Sequence, residues 1–409
     1  MPLNILEHFS TLKDPRRDHP NKLHKLIDIV IISICAMLAK CETWDEIADY
    51  ALERQDFFQQ FLELPNGIPS HDTINRVFAS VDPSLWQQCF CSWMQSVTTE
   101  SAKKIKQIQI DGKTLRGTKA SGTGKREVKQ TALQMVTAWA SEQQLVLAQT
   151  AVEGKSNEIT AIPDLLQMLD LEAAIVSIDA MGTQTKIAEQ IIKQGGDYIL
   201  GLKGNQGTLH QAAQDLFEDA IKTNPTLECA KSFDVGHGRQ EERKCWVLKD
   251  LRQFELADCR VETWVDLKSV IVVEAVTTRK QKTSSDRRYY LSSLDCSAEQ
   301  GLSFTRDHWS IENQATMPEA TQARQVHLWG QEGAFYGQEE HYVLDVLFRE
   351  DASRTRRGFA AQNLGLMRRL VLNLLNLDVS LNVSKRRKRL KAMLNDTYLL
   401  SLIGLSFTT

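Results

Sequence analysis

The sequence predicts a mixed α/β protein: a helical N-terminal domain, a core of strands and helices, and a β-rich insertion within that core. Three observations carry this expectation. The first hundred residues place apolar side chains at helical spacing. After Lys106 the pattern changes to short alternating or wholly apolar runs with helices between them, and from Lys231 to Leu294 it becomes strand-like alone. At 409 residues the chain is long enough for two or three domains. With 42% hydrophobic and 25% charged residues it has the balance of an ordinary globular protein. Its 49 Lys+Arg against 52 Asp+Glu give a net charge of −3, which excludes a wholly basic nucleic-acid packager and a highly acidic disordered chain.

Within the first region, Leu26 to Ala39 is almost continuously apolar but spans only 14 residues and includes Asp28. That is too short to cross a bilayer and fits a buried helix. A second helix is expected where Trp44, Ile47, Ala48, Ala51 and Leu52 recur. A third is expected over Ser70 to Ala79, where Ser70, His71 and Asp72 offer caps. Lys22, His24 and Lys25 form either a DNA contact or a solvated face. The N-terminus carries charges where a signal peptide needs an apolar stretch, so a cytoplasmic protein is expected. The eight cysteines are scattered without any C-x-x-C spacing, which predicts free, mostly buried thiols.

The core opens with Ile108-Gln109-Ile110-Asp111-Gly112, a short alternating strand ending in a carboxylate and a turn. Ala132 to Trp139 and Gln144 to Val152 then read as a hairpin. Asn157 to Leu169 is helical, Ala174 to Ile178 is a sheet-central strand followed by Asp179, Thr185 to Lys193 is helical, and Tyr198 to Lys203 is a strand. Arg239 to Leu248, Ser269 to Thr277 and Arg288 to Leu294 are the clearest strands of the insertion. A helix resumes over Phe304 to Asn313. Strand–strand–strand–helix–strand–helix–strand, with acids closing the first and fourth strands, is the layout of a ribonuclease-H-like nuclease core. Adjacent strand ends bring such acids together, and hard divalent cations need that convergence of carboxylates.

Four motifs then carry a family resemblance: Ile110-Asp111-Gly112-Lys113, Ile178-Asp179-Ala180, Leu202-Lys203-Gly204-Asn205-Gln206 and His308-Trp309-Ser310-Ile311-Glu312-Asn313. With Asp14-Pro15-Arg16-Arg17, Gly67 to Thr73, Gly236 to Arg239 and Leu344 to Asp351, they resemble the H-repeat-associated family of insertion-sequence DDE transposases over nearly the whole chain. The resemblance implies that Asp111, Asp179 and Glu312 are the catalytic, metal-holding acids. It implies two divalent cations, Mg²⁺ or Mn²⁺, and phosphoryl transfer on DNA: cleavage at the ends of the protein's own element, then strand transfer into target DNA. It also implies a homo-oligomer on DNA, with no membrane partner. Lys203 becomes a candidate phosphate contact or a solvated loop lysine. His308, one helical turn before Glu312, becomes a phosphate-side or structural histidine. Arg239, in a Gly-flanked turn, becomes a candidate DNA contact.

One departure from the family pattern is large. About 26 residues, Ala315 to Glu340, stand between Asn313-Gln314 and His341-Tyr342-Val343-Leu344-Asp345-Val346, and they include Pro318, Gly330, Gly333 and Gly337. Either the catalytic helix ends soon after Glu312 and a long loop returns to the core, or the insertion has disabled the enzyme. The alternatives to an active transposase are therefore a degenerate DNA-binding remnant and a nuclease without strand transfer. Asp345 and Glu350 are candidates for substitute ligands or for surface and capping roles.

The expected domains are 1–100, helical; 106–230, the first part of the catalytic core; 231–295, the β-rich insertion; 300–378, the rest of the core with the atypical 315–340 stretch; and 379–409, a basic tail. Residues 349–391 hold twelve Lys and Arg against three acids, a charge of +9 that leaves −12 on everything else. Lys385, Arg386, Arg387, Lys388 and Arg389 form its densest run, suited to tracking a phosphate backbone or to a solvated face.

Overall fold

The computed structural model describes residues 4–20, 22–100, 105–119, 131–152, 158–236, 239–252, 254, 263–279, 282–312 and 340–406. The N-terminal region comprises α1 (Ile5–Ser10), α2 (Leu26–Leu38), α3 (Trp44–Glu53), α4 (Gln55–Phe58), α5 (His71–Ser80) and α6 (Pro83–Glu100). Nearly every residue of α2 is buried, as its unbroken apolarity requires: a helix hydrophobic all round needs neighbours on every side. Its Asp28 accepts a hydrogen bond from the Leu64 backbone N–H at 3.1 Å, and burial raises its carboxyl above the usual range. Ser70 caps α5 as expected, accepting from the Thr73 backbone N–H. Among the described residues no helix is long and apolar enough to cross a membrane, and the described cysteines are free.

The strands are β1 (Gln107–Leu115), β2 (Leu133–Ala140), β3 (Leu145–Ala151), β4 (Ile175–Ile178), β5 (Asp197–Leu202), β6 (Ala230–Gly236), β7 (Arg239–Leu248), β8 (Ser269–Arg279) and β9 (Lys282–Ser292). They form one sheet in the order β3-β2-β1-β4-β5-β9-β8-β7-β6. The expected hairpin β2–β3 is present, and β1 runs parallel to β4, as β4 does to β5. The strands of 231–295 are therefore not a separate module. β9 pairs with β5, so the insertion extends the core sheet by a meander. Helices α7 (Glu158–Gln167), α8 (Thr185–Lys193) and α9 (Gly207–Thr223) connect the core strands. α10 (Ala298–Glu312) packs on β7 and β6 and reaches β1 and β4.

After the stretch that interrupts the family pattern come α11 (Glu340–Phe348), α12 (Ala360–Leu377), α13 (Lys385–Leu394) and α14 (Asp396–Leu402). α12 packs against α2, α5, α6 and β3, so one apolar core runs through the N-terminal helices and the sheet. Asn363 donates to the carbonyls of Phe78 and Val81, and the Asn373 amide takes both hydrogen-bonding groups of Val146. The helices of 1–100 thus complete their core with a C-terminal helix. The basic 379–409 segment packs on the same core. Ala392, Tyr398, Leu399, Leu400 and Leu402 are buried, and α13 packs on α2 and α12.

Candidate active site

Two parallel strands bring the first two acids together. β1 pairs with β4 only as far as Ile110, which lies opposite Ile178, so Asp111 and Asp179 follow at the point where the strands part. The sequence suggested that β1 ends here. Instead β2 goes on pairing with it to Leu115, and Asp111 sits in mid-strand where β4 has stopped. Beyond β4 the chain makes a short turn, with Asp179 accepting from the Ala180 backbone N–H at 2.6 Å. Asp111 likewise accepts from the Gly112 N–H at 2.8 Å through Oδ1.

Three further side chains close around the pair. The Lys203 ammonium lies 2.9 Å and 3.1 Å from the two oxygens of Asp179, so it is engaged with an acid and not merely solvated. The following Asn205 and Gln206 donate to the carbonyls of Ala180 and Thr183, which ties the end of β5 to the turn after β4. Glu158, at the start of α7, lays its carboxylate over Gly112, where any Cβ would overlap it. Burial, and then the negative charge of Asp179, raise the Glu158 carboxyl above its usual range. Sequence patterning missed Glu158 because nothing in a helix-opening acid reveals which strand it faces. The glycine after Asp111 was the available signal.

The third neighbour is His341, whose Nδ1 stands 3.5 Å from Asp111 Oδ2. Burial, and then the charges of Lys113 and Arg369, push this imidazole down to about 3, so it is neutral at physiological pH. Lys113, two residues beyond Asp111, is buried and donates to Asp345 Oδ1 at 2.7 Å and to Glu350 Oε2 at 3.1 Å. Arg369 takes the other Glu350 oxygen at 2.9 Å. Burial alone would raise the Glu350 carboxyl; Arg369, Lys113 and Arg368 outweigh it and hold it at about 2. Glu350 is buried and Asp345 half-exposed, and both serve as counter-charges to the buried lysine; Asp345 also accepts from the Asp351 N–H at the turn.

Glu312 is the last described residue of α10, and its side chain, like those of His308 and Arg239, lies outside the described residues; so does the 315–339 stretch. Among the described residues no three His, Cys, Asp or Glu side chains gather closely enough to hold a metal ion. Asp111 and Asp179 offer hard oxygen donors side by side, which suits a divalent cation, and a bound cation needs a further ligand beside them.

The basic run of α13 divides by burial. Arg386 and Arg387 are exposed, and Lys385 is partly so. Lys388 and Arg389 are not available to DNA. Lys388 donates to the carbonyls of Leu375 and Asp378, and Arg389 lies over the Phe348 ring while donating to the carbonyls of Met37 and Leu347 and to Glu42. Lys388 ties α13 to the end of α12, and Arg389 ties it to α2 and α11.

Asp111 and Asp179 thus follow two parallel strands at the point where they part, on a mixed sheet, and comparison with known proteins shows which family such a chain belongs to. The family model described as "Transposase DDE domain" matches residues 103–315, and "DDE_Tnp_1-associated" matches 6–94. The chain belongs to the DDE transposase family, among its H repeat-associated members. It is 34% identical to "H repeat-associated putative transposase YhhI" of Escherichia coli (strain K12), over 98% of this chain and 97% of that one. "Inactive transposase YbfQ" from the same organism is 41% identical over 18% of this chain and 86% of its own. A solved piggyBac transposase synaptic complex with hairpin DNA aligns over 98% of this chain and 76% of its own at 11% identity, but its TM-score of 0.38 is too low to carry an argument.

Proposed function

We propose that this protein cleaves DNA at the ends of its own mobile element and transfers the freed strand into target DNA, using Asp111, Asp179 and Glu312 to hold two divalent cations, Mg²⁺ or Mn²⁺. The observation that carries this reading is the emergence of Asp111 and Asp179 side by side where β1 and β4 part. The strand order β3-β2-β1-β4-β5 supports a ribonuclease-H-like core beneath them. When bound, the cations supply the positive charge that activates the attacking oxygen and stabilises the departing one.

The chain's own groups do the rest. Asp111 and Asp179 each accept from the next backbone N–H through one oxygen, which anchors each carboxylate to the backbone beside it. Lys203 neutralises Asp179 in the resting site and carries a charge that can shift to a DNA phosphate. The N-termini of α8 and α9 open on one cleft of about 300 Å³, lined by Thr183, Thr185, Gln206 and Thr208 beside the Asp179 turn. Helix N-termini favour anionic groups, so this cleft suits the backbone of a strand held in the site. Arg386 and Arg387 add exposed positive charge on α13. The protein acts in this reading as a homo-oligomer on DNA in the cytoplasm, binding its terminal repeats and target.

The test is cleavage of duplex carrying the element ends, with Mg²⁺ or Mn²⁺, by the full chain and by Asp111→Ala. Cleavage lost in the variant supports the reading, and a joined product distinguishes a transposase from a simple nuclease. Binding without cleavage by the intact chain overturns it in favour of a DNA-binding remnant. Cleavage restored by deleting 315–340 would trace that loss to the insertion.

A further inference from the structure

We infer that His341 is a positioning residue for Asp111, held beside it by the buried ion-pair cluster of Lys113. The inference rests on Asp111 being a cation-holding acid and adds what fixes the geometry of that acid.

Side chains two apart on a strand share a face, so Lys113 leaves β1 on the same side as Asp111. Its ammonium, in a residue only 8% exposed, reaches Asp345 Oδ1, Glu350 Oε2 and, at 3.4 Å, the carbonyl oxygen of His341 itself. These acceptors lie on α11 and the turn that follows it, so a single lysine pins that segment to the catalytic strand. Arg349 adopts the left-handed conformation, φ 48°, and turns the chain so that Glu350 faces inward, where Arg369 completes its charge balance. The grip continues along the strand. Asp345 Oδ1 accepts from the Asp351 N–H at 3.3 Å, and Gly117 lies so close to the carbonyls of Asp351 and Ser353 that a Cβ there would overlap both.

The result is a histidine with no freedom to leave. Its ring presents Nδ1 to the Asp111 carboxylate, 3.5 Å from Oδ2, where an Nδ1 proton would face that oxygen. Among the described residues, buried Nε2 has no hydrogen-bond partner. With Oδ1 on the Gly112 N–H and Oδ2 facing His341, the Asp111 carboxylate is fixed in its plane. Partners that orient a metal-ligating carboxylate are worth on the order of 10–100-fold in metal affinity. The His341 end of α11 thereby acquires a role, because the chain, whatever path it takes from Glu312, returns to grip the catalytic strand.

The experiment is Mn²⁺ binding by the full chain, measured calorimetrically together with melting temperature. His341→Phe keeps the volume and removes the donor; His341→Asn keeps an N–H near the Nδ1 position. The expected result is Mn²⁺ binding about tenfold weaker for His341→Phe and within about threefold of wild type for His341→Asn, with melting unchanged. If the Phe variant melts lower, His341→Leu takes its place. Wild-type Mn²⁺ affinity in the donor-less variant overturns the inference, as does equal weakening by Asn and Phe, which would mean that only packing matters. Asp111→Ala in the same assay separates the two levels: undiminished Mn²⁺ binding there removes Asp111 as a cation-holding acid altogether.

Discussion

Replacing Glu350 with glutamine leaves Lys113 and Arg369 buried with one acid fewer to balance them. The wild-type carboxyl is held at about 2 against an ordinary 4.5, and each unit is worth about 1.4 kcal/mol, so its ionisation contributes about 3 kcal/mol of stability at neutral pH. Breaking one partner of a buried pair costs about 3–5 kcal/mol in other proteins, which agrees. The sign with pH follows from the direction of the shift. The folded protein binds this proton less tightly than the unfolded chain, so the stabilisation is present above about 4.5 and drains away as pH falls toward 2. Urea denaturation of wild type and Glu350→Gln should therefore differ by about 3 kcal/mol at pH 7 and by about 1 kcal/mol at pH 3. A difference below about 1 kcal/mol at pH 7, or one that does not shrink in acid, would refute the reasoning.

Three other outcomes are expected. Gly112→Ala places a methyl group into the Glu158 carboxylate; it should cost about 1–3 kcal/mol and depress cleavage, with melting restored by adding Glu158→Ala. Unchanged melting and cleavage in the single variant would show that Glu158 does not sit over this strand. Lys203→Met should change stability by less than about 1 kcal/mol, because its pair with Asp179 is largely exposed, yet tighten Mn²⁺ binding by removing a cation that competes for the Asp179 carboxylate; weaker binding would argue against the competition. Arg386→Ala with Arg387→Ala should lower DNA affinity and flatten its salt dependence by about two units of slope while melting holds, whereas Arg389→Ala should destabilise by about 3 kcal/mol and leave the slope alone. Denaturation curves and binding at several salt concentrations distinguish these, and the reverse pattern would sink the division of the basic run.

Local chemistry made much of this fold legible. The helix Thr185–Lys193 and the strand Arg239–Leu248 fall where hydrophobic period and flanking residues placed them, and the β2–β3 hairpin forms around the polar break at Ala140 to Glu142. Asp111 and Asp179 could be picked out because a carboxylate that closes an apolar strand is a local feature, and two in that order imply convergence. Others were hidden. Glu158 shows only a helix-opening acid, and nothing in its neighbours tells which strand it faces.

What the sequence determined by itself is whatever depends on neighbours a few residues away: strand alternation, helix stripes, caps, and the acids at the strand ends. What only the tertiary structure decided is which charges are buried. Lys385 to Arg389 reads as one basic run, yet Arg386 and Arg387 face solvent while Lys388 and Arg389 serve the carbonyls of α2, α11 and α12. Asp345 and Glu350 read as substitute ligands or as surface and capping acids, yet they answer a lysine more than 230 residues earlier in the chain. Burial sets whether a charge meets water, DNA or a counter-charge, and burial is a property of packing between distant segments that no local window of the sequence contains.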